Sequence, residues 1–201
     1  MLDRFALALL RAPMTATAQV LVRAGVGANT VTLAGFALGT VAAFLIADHA
    51  YLAGAAALIA SRICDGLDGA VARQTQPTDA GGFLDIALDF LFYASIPLAF
   101  AFADPVRNAL AAALLLAAFI GTGTSFLAFA ALAAKRGLTS LAYPGKSFYF
   151  LGGLTEATET IAFFTAMCLW PQHFAALATV FAGLCAITTA TRLWWGWKAF
   201  A

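Results

Sequence analysis

Four aspartates, Asp65, Asp68, Asp85 and Asp89, stand in stretches built otherwise mainly from Ala, Leu, Ile, Gly and Phe. On a helix, Asp65 and Asp68 fall about 60° apart and Asp85 and Asp89 about 40° apart, so each stretch presents two acids on one stripe. Only Gln74 to Ala80 connects the stretches. A link that short makes the helices antiparallel neighbours, with their acidic stripes able to meet. Four carboxylates in one small volume cannot all stay ionised without cations between them. Oxygen-only ligands point to a hard ion, Mg²⁺ or Mn²⁺, and four acids suggest two ions bridged by shared carboxylates. Gly66, Gly69, Ala70 and Ala72 beside one pair, and Gly81, Gly82 and Ala87 beside the other, leave room for a bulky polar ligand to approach the backbone. Arg73, one turn beyond Asp68, offers a forked guanidinium to a phosphate. Metal ions with an arginine suit a pyrophosphate substrate.

The elements that carry these acids belong to a membrane. Of 201 residues, 63% are hydrophobic and 10% charged, and the mean hydropathy is +0.89. That much apolar surface cannot be hidden in one small core, so lipid is the expected solvent. A net charge of +1 leaves no basic excess for nucleic acid. Cys64, Cys168 and Cys185 are odd in number and sit in apolar runs, which argues against a disulfide. His49 and His173 stand alone in short polar gaps, without the spacing of a zinc site.

About 20 apolar residues cross a bilayer, and six segments qualify: 30–48, 51–74, 82–103, 107–134, 154–171 and 174–197. Residues 1–28 are interrupted by Asp3, Arg4, Arg11 and Arg23 and are expected as an amphipathic helix on the membrane face, with Leu2, Phe5, Leu9, Val20 and Leu21 toward lipid. Ten of the eleven Lys and Arg residues fall on or toward the side holding both termini, and only Arg107 lies opposite. The positive-inside bias makes that side cytoplasmic. Trp170, Trp194, Trp195, Trp197 and Tyr51 lie near span ends, where interfacial aromatics belong. With no repeat or linker in view, residues 1–201 form one all-α polytopic membrane domain, an interfacial helix followed by a six-helix bundle.

The run Asp65-Gly-Leu-Asp68-Gly69-Ala-Val-Ala72-Arg73, followed by Gly81-Gly-Phe-Leu-Asp85-Ile-Ala-Leu-Asp89, resembles the signature of the CDP-alcohol phosphotransferases, the integral membrane enzymes of phospholipid head-group synthesis. All eight signature positions are present, on a connection shorter than is usual in the family. The resemblance implies Asp65, Asp68 and Asp85 as metal ligands, with Asp89 serving the second ion or acting as the catalytic base on an acceptor hydroxyl. It implies that Gly69, Ala72, Arg73 and Gly81 contact the CDP donor, with Thr78 beside them. Asn29-Thr30-Val31-Thr32 is similar to the element opening the first span in this family, which puts Asn29 and Thr32 near the donor. The implied reaction is attack of an alcohol on the phosphorus of a CDP-alcohol, with CMP leaving. The donor expected here is CDP-diacylglycerol, since no fused soluble domain supplies another. A homodimer in a bacterial inner membrane, its active site facing the cytoplasm, completes the expectation.

For the acceptor, the candidates are Lys146, Glu156 and Glu159, near the start of the fifth span. Each has a plain structural alternative, lipid headgroups for Lys146 and the positive end of a helix for the two glutamates. Lys135, Arg136, Arg192 and Lys198 are expected to anchor headgroups. Asp79 is expected to cap the third span, and Gly35 and Gly39 to permit close packing within the chain. Two other functions are compatible with intramembrane acids. An ion or solute transporter would spread them over inverted repeats, which are not found, and a silent scaffold would not need them intact.

Overall fold

The computed structural model describes residues 3–137 and 153–201, with side chains from residue 11 onward. Lys146 lies outside the described residues. Those residues form only helices: α1 Asp3–Arg23, α2 Ala28–Ala47, α3 Tyr51–Gln74, α4 Asp79–Ala103, α5 Pro105–Lys135, α6 Ala157–Leu169 and α7 Phe174–Phe200. Among the described residues, four segments, Ala28–Ala47, Asp79–Ala103, Pro105–Lys135 and Pro171–Phe200, are long and apolar enough to cross a membrane. The polar load of Arg62, Asp65, Asp68 and Arg73 sets α3 apart from them. The expected fifth span, 154–171, contracts to the 13 residues of α6, about 20 Å at 1.5 Å per residue and short of a hydrocarbon core. Its start is fixed by a capping box between Glu156 and Glu159, and Trp170-Pro171 breaks its end into a single 3-10 turn.

Local chemistry sets the other boundaries. Gly25, at φ +76°, closes α1, with Val26 N–H donating to Leu21 O at 2.9 Å and Gly25 N–H to Val22 O at 3.0 Å. This paired arrangement needs the left-handed conformation that glycine tolerates. The α4 cap is Thr78 and not Asp79: its hydroxyl accepts the Gly81 N–H at 3.0 Å, and Asp79 is the first helical residue. On α1, Ala18 is buried, and Met14, Leu21 and Val22 pack toward Val31 of α2 and Ala70 and Val71 of α3. Leu21 therefore faces the bundle while Val20 stays exposed. The reason is that α2 and α3 offer a closer apolar partner to that face of α1 than open lipid does.

The main core joins α2 to α7 through Ile46, Leu58, Phe92, Ile96, Phe100, Leu115, Phe164, Phe174 and Phe181. Phe100 stacks on Phe174 with ring centroids 4.4 Å apart, as do Phe163 and Phe181. Phe44, Leu52, Phe102, Leu110 and Val180 point outward, an apolar coat suited to acyl chains. Against lipid, helix association draws little on hydrophobic burial and depends on close approach. Gly35 and Gly39 supply it: a Cβ at Gly35 would lie 2.9 Å from Cys64 Cβ, and one at Gly39 2.5 Å from the buried Phe92 ring. Gly39→Ala is expected to cost about 1–2 kcal/mol, overpacking at Phe92 exceeding the gain in helix propensity. The check is a melting temperature several degrees below the parent in the same detergent, and an unchanged value would show that Phe92 has room to move.

Candidate active site

The last turns of α3 and the first turns of α4 carry the four acids. Asp65, Asp68 and Asp85 converge, each offering a carboxylate oxygen within 4.8 Å of the others. Oxygens on opposite sides of one Mg²⁺ or Mn²⁺ at about 2.1 Å lie about 4.2 Å apart. Small side-chain rotations thus close this group around a cation. Asp68 is 5% exposed, and its Oδ2 is buried with no protein hydrogen-bond partner. A buried carboxylate oxygen left bare is costly unless something binds it, and its position in the acid group fits a metal ion.

Asp89 lines the same cleft as Asp65 and Asp85. The Arg62 guanidinium, one helical turn before Asp65, donates through Nη1 to Asp89 Oδ1 at 2.6 Å and lies 3.4 Å from Asp65 Oδ1. Arg62 Nη2 donates to Ser61 Oγ at 3.1 Å, and Ser61 Oγ donates to the Gly35 carbonyl of α2 at 2.7 Å. The guanidinium also sits 3.7 Å over the Phe92 ring. Its side chain is 8% exposed. One internal arginine offers one positive charge against four carboxylates, so the site is built with a deficit of cations. Thr32, Gly35 and Phe36 of α2 close a narrow polar cleft over Arg62, Asp65, Asp85, Leu88 and Asp89.

The remaining candidates lie around the acids and at the start of α6. At the mouth of the acid cluster, Arg73 folds back on Gly69, where an added Cβ would lie 3.2 Å from Arg73 Nη1. Ala72 is half-buried beside it. At the start of α4, a Cβ on Gly81 would lie 2.9 Å from Asn29 Oδ1 and 3.1 Å from Thr78 Oγ1, so Asn29, Thr78 and Gly81 form one knot between α2 and α4. Thr32 borders the acidic cleft and donates to Ala28 O at 3.1 Å. Glu156 and Glu159 are engaged at the start of α6: Glu156 Oε1 accepts from Gly153 N at 3.3 Å, and Glu159 Oε2 accepts from Glu156 N at 3.1 Å.

Two residues read differently in three dimensions. Arg192, expected to anchor headgroups, is 8% exposed and donates through Nη1 to Thr122 O of α5 at 3.0 Å. The α5–α7 packing buries it. Arg62 was legible only as a charge near the acids. Its signal was a lone arginine three residues before Asp65, where a helix aligns the two side chains.

Residues 26–194 match the family described as CDP-alcohol phosphatidyltransferase. The chain is 51% identical over 197 residues to inner membrane protein YnjF of Escherichia coli K12, covering 98% of this chain and 96% of that one. Over 70 residues it is 46% identical to archaetidylinositol phosphate synthase of Methanothermobacter thermautotrophicus, a match spanning 34% of this chain and 36% of that one. Its fold is similar to phosphatidylinositol phosphate synthase PgsA1 of Mycobacterium tuberculosis solved with CDP-DAG bound, at TM-score 0.73 and 23% identity, covering 92% of this chain and 93% of that one. The same enzyme in complex with manganese and citrate aligns at TM-score 0.70 and 22% identity, covering 92% of this chain and 88% of that one.

Proposed function

The chain belongs to the CDP-alcohol phosphatidyltransferase family, a family of phosphotransferases, and on that premise we propose that it transfers a phosphatidyl group from CDP-diacylglycerol to an alcohol, releasing CMP. The observation that carries this reading is the convergence of Asp65, Asp68 and Asp85, with Asp89 in the same cleft and bonded to Arg62. Asp65, Asp68 and Asp85 would hold Mg²⁺ or Mn²⁺, with Asp89 in reach of a second ion. When bound, the ions neutralise the diphosphate and the charge that develops on the departing CMP. Asp89 accepts the proton of the acceptor hydroxyl. The hydroxyl oxygen forms its bond to the phosphorus carrying the lipid while the bond from that phosphorus to the CMP oxygen breaks. Gly69, with no side chain, and Ala72, with a small one, leave space for the nucleotide diphosphate beside Arg73. The knot of Asn29, Thr78 and Gly81, with Thr32, borders the donor on its other side.

Lys146, Glu156 and Glu159 are assigned to the acceptor side, the glutamates acting through the loop end that they fix at the start of α6. The whole chain 1–201 works as one domain with an interfacial α1 and six membrane crossings, α3 and the 154–171 segment built around α6 completing the count. An even count keeps both termini and the acids on the cytoplasmic face of a bacterial inner membrane, and a homodimer is the working form.

The test is CMP release by purified protein from CDP-diacylglycerol and from other CDP-alcohols. Inositol phosphate, glycerol phosphate, serine and a lipid alcohol are the acceptors, each with and without Mg²⁺ or Mn²⁺. Metal-dependent CMP release with one acceptor is expected. No release from any pairing would overturn the reading.

A further inference from the structure

Asp65 of α3 and Asp89 of α4 bring two carboxylates into hydrogen-bond contact across the helix interface. Like charges that close repel unless a positive group stands beside both. Arg62 stands there. Its Nη1 donates to Asp89 Oδ1 at 2.6 Å and lies 3.4 Å from Asp65 Oδ1, while Nη2 donates to Ser61 Oγ at 3.1 Å. Ser61 Oγ donates in turn to Gly35 O of α2 at 2.7 Å. On its open face the guanidinium meets the Phe92 ring of α4 at 3.7 Å, and Phe92 is itself seated against Gly39, where a side chain would displace it. Two neighbouring helices therefore fix one guanidinium, α2 through Ser61 and α4 through Phe92, and that guanidinium meets two acids at once.

From this geometry we infer that Arg62 is a positioning residue of the acid cluster, the group whose fork holds Asp65 and Asp89 in one arrangement across α3 and α4. The inference deepens the proposed function and rests on it for the chemistry that the two acids perform. Carboxylates that bind a metal ion are themselves oriented by hydrogen bonds, and these outer partners set metal affinity. Each acid meets Arg62 through one oxygen, which leaves its other oxygen for an ion or for the acceptor hydroxyl. Charge alone does not supply this. A lysine ammonium is a point charge on a flexible stem, whereas the planar guanidinium approaches Asp89, Asp65 and Ser61 from fixed directions while lying on an aromatic face. The sequence Ser61-Arg62 thus couples the metal-binding end of α3 to the packing of α2 and α4.

The test uses substitutions that keep the charge and change the geometry, on full-length protein in detergent. In Mn²⁺ titration by calorimetry, without donor or acceptor, Arg62→Lys is expected to bind about tenfold more weakly than the parent, the scale on which outer partners act. Its metal-free melting temperature is expected within about 3 °C of the parent, which separates the effect from loss of the fold. Mn²⁺ affinity unchanged in Arg62→Lys would mean that only the charge matters and would overturn the inference. Ser61→Ala releases Nη2 from α2 and leaves the arginine in place, so a weakening of about threefold is expected. Where Arg62→Lys does not yield folded protein, Ser61→Ala decides, and unchanged affinity there overturns the role. In turnover at saturating Mn²⁺, Arg62→Lys lowers kcat by about tenfold with donor KM changed by less than about threefold. It adds less than about twofold to the loss in Asp89→Asn, because a residue acting through Asp89 has no base left to position. Losses of kcat that multiply in the double variant would count against the inference just as firmly. If the parent releases no CMP, the proposed function fails, and the Mn²⁺ titrations still decide the role of Arg62.

Discussion

Asp89→Asn is expected to lower turnover by about 10³-fold, within the range attributed to general-base catalysis, while Mn²⁺ binding and donor binding stay within about threefold of the parent. The asparagine keeps the shape of the side chain and an oxygen for Arg62 Nη1, which now donates to Asp89 Oδ1, but it cannot accept a proton from a hydroxyl. Asp65, Asp68 and Asp85 offer three ligand oxygens without it, so Mn²⁺ binding is expected to survive the loss of its charge. The measurements are CMP release under saturating donor, Mn²⁺ calorimetry and competition by CDP. Turnover within threefold of the parent would remove Asp89 from the base role. Loss of Mn²⁺ binding in parallel would make it a ligand instead.

Asp68→Asn is expected to act through the metal. Asp68 is the most deeply placed of the four acids, and its Oδ2 is bare of protein partners. The neutral amide gives a cation a weaker oxygen in its place. The concentration of Mn²⁺ needed for half-maximal activity should rise by about tenfold or more, the scale on which metal-site substitutions act, with activity at ordinary Mn²⁺ falling in step. Damage to folding predicts the opposite sign in a second measurement. Losing one of several crowded negative charges relieves repulsion, so the metal-free variant should melt no lower than the parent. An unchanged Mn²⁺ titration would end the ligand assignment.

Much of the frame was legible from residue order. The α3 bounds, Tyr51–Gln74, coincide with the reading 51–74, because the flanking His49-Ala50 and Thr75-to-Pro77 breaks are strong local punctuation. The two acid stripes follow from helical spacing. At α6, apolar composition extended the reading across residues whose backbone is committed to a capping box and a proline turn. Arg192 failed as a headgroup anchor for a related reason. Sequence places it near a span end, but only the approach of α5 to α7 sets the depth at which its guanidinium meets Thr122 O.

Residue type and spacing by themselves determined an all-helical chain that the membrane must solvate, and two helices each bearing a pair of acids, since composition and a period of 3.6 are local properties. Tertiary structure alone decided how those acids meet and which basic group faces them. That Asp65, Asp85 and Asp89 line one cleft with Arg62 bonded to Asp89 depends on the register of α3 against α4. That register is set by Phe92 entering the space at Gly39 and by Ser61 bonding α2. No spacing rule within a single helix carries it, because a side chain's nearest charge across a helix interface is fixed by packing at distant positions.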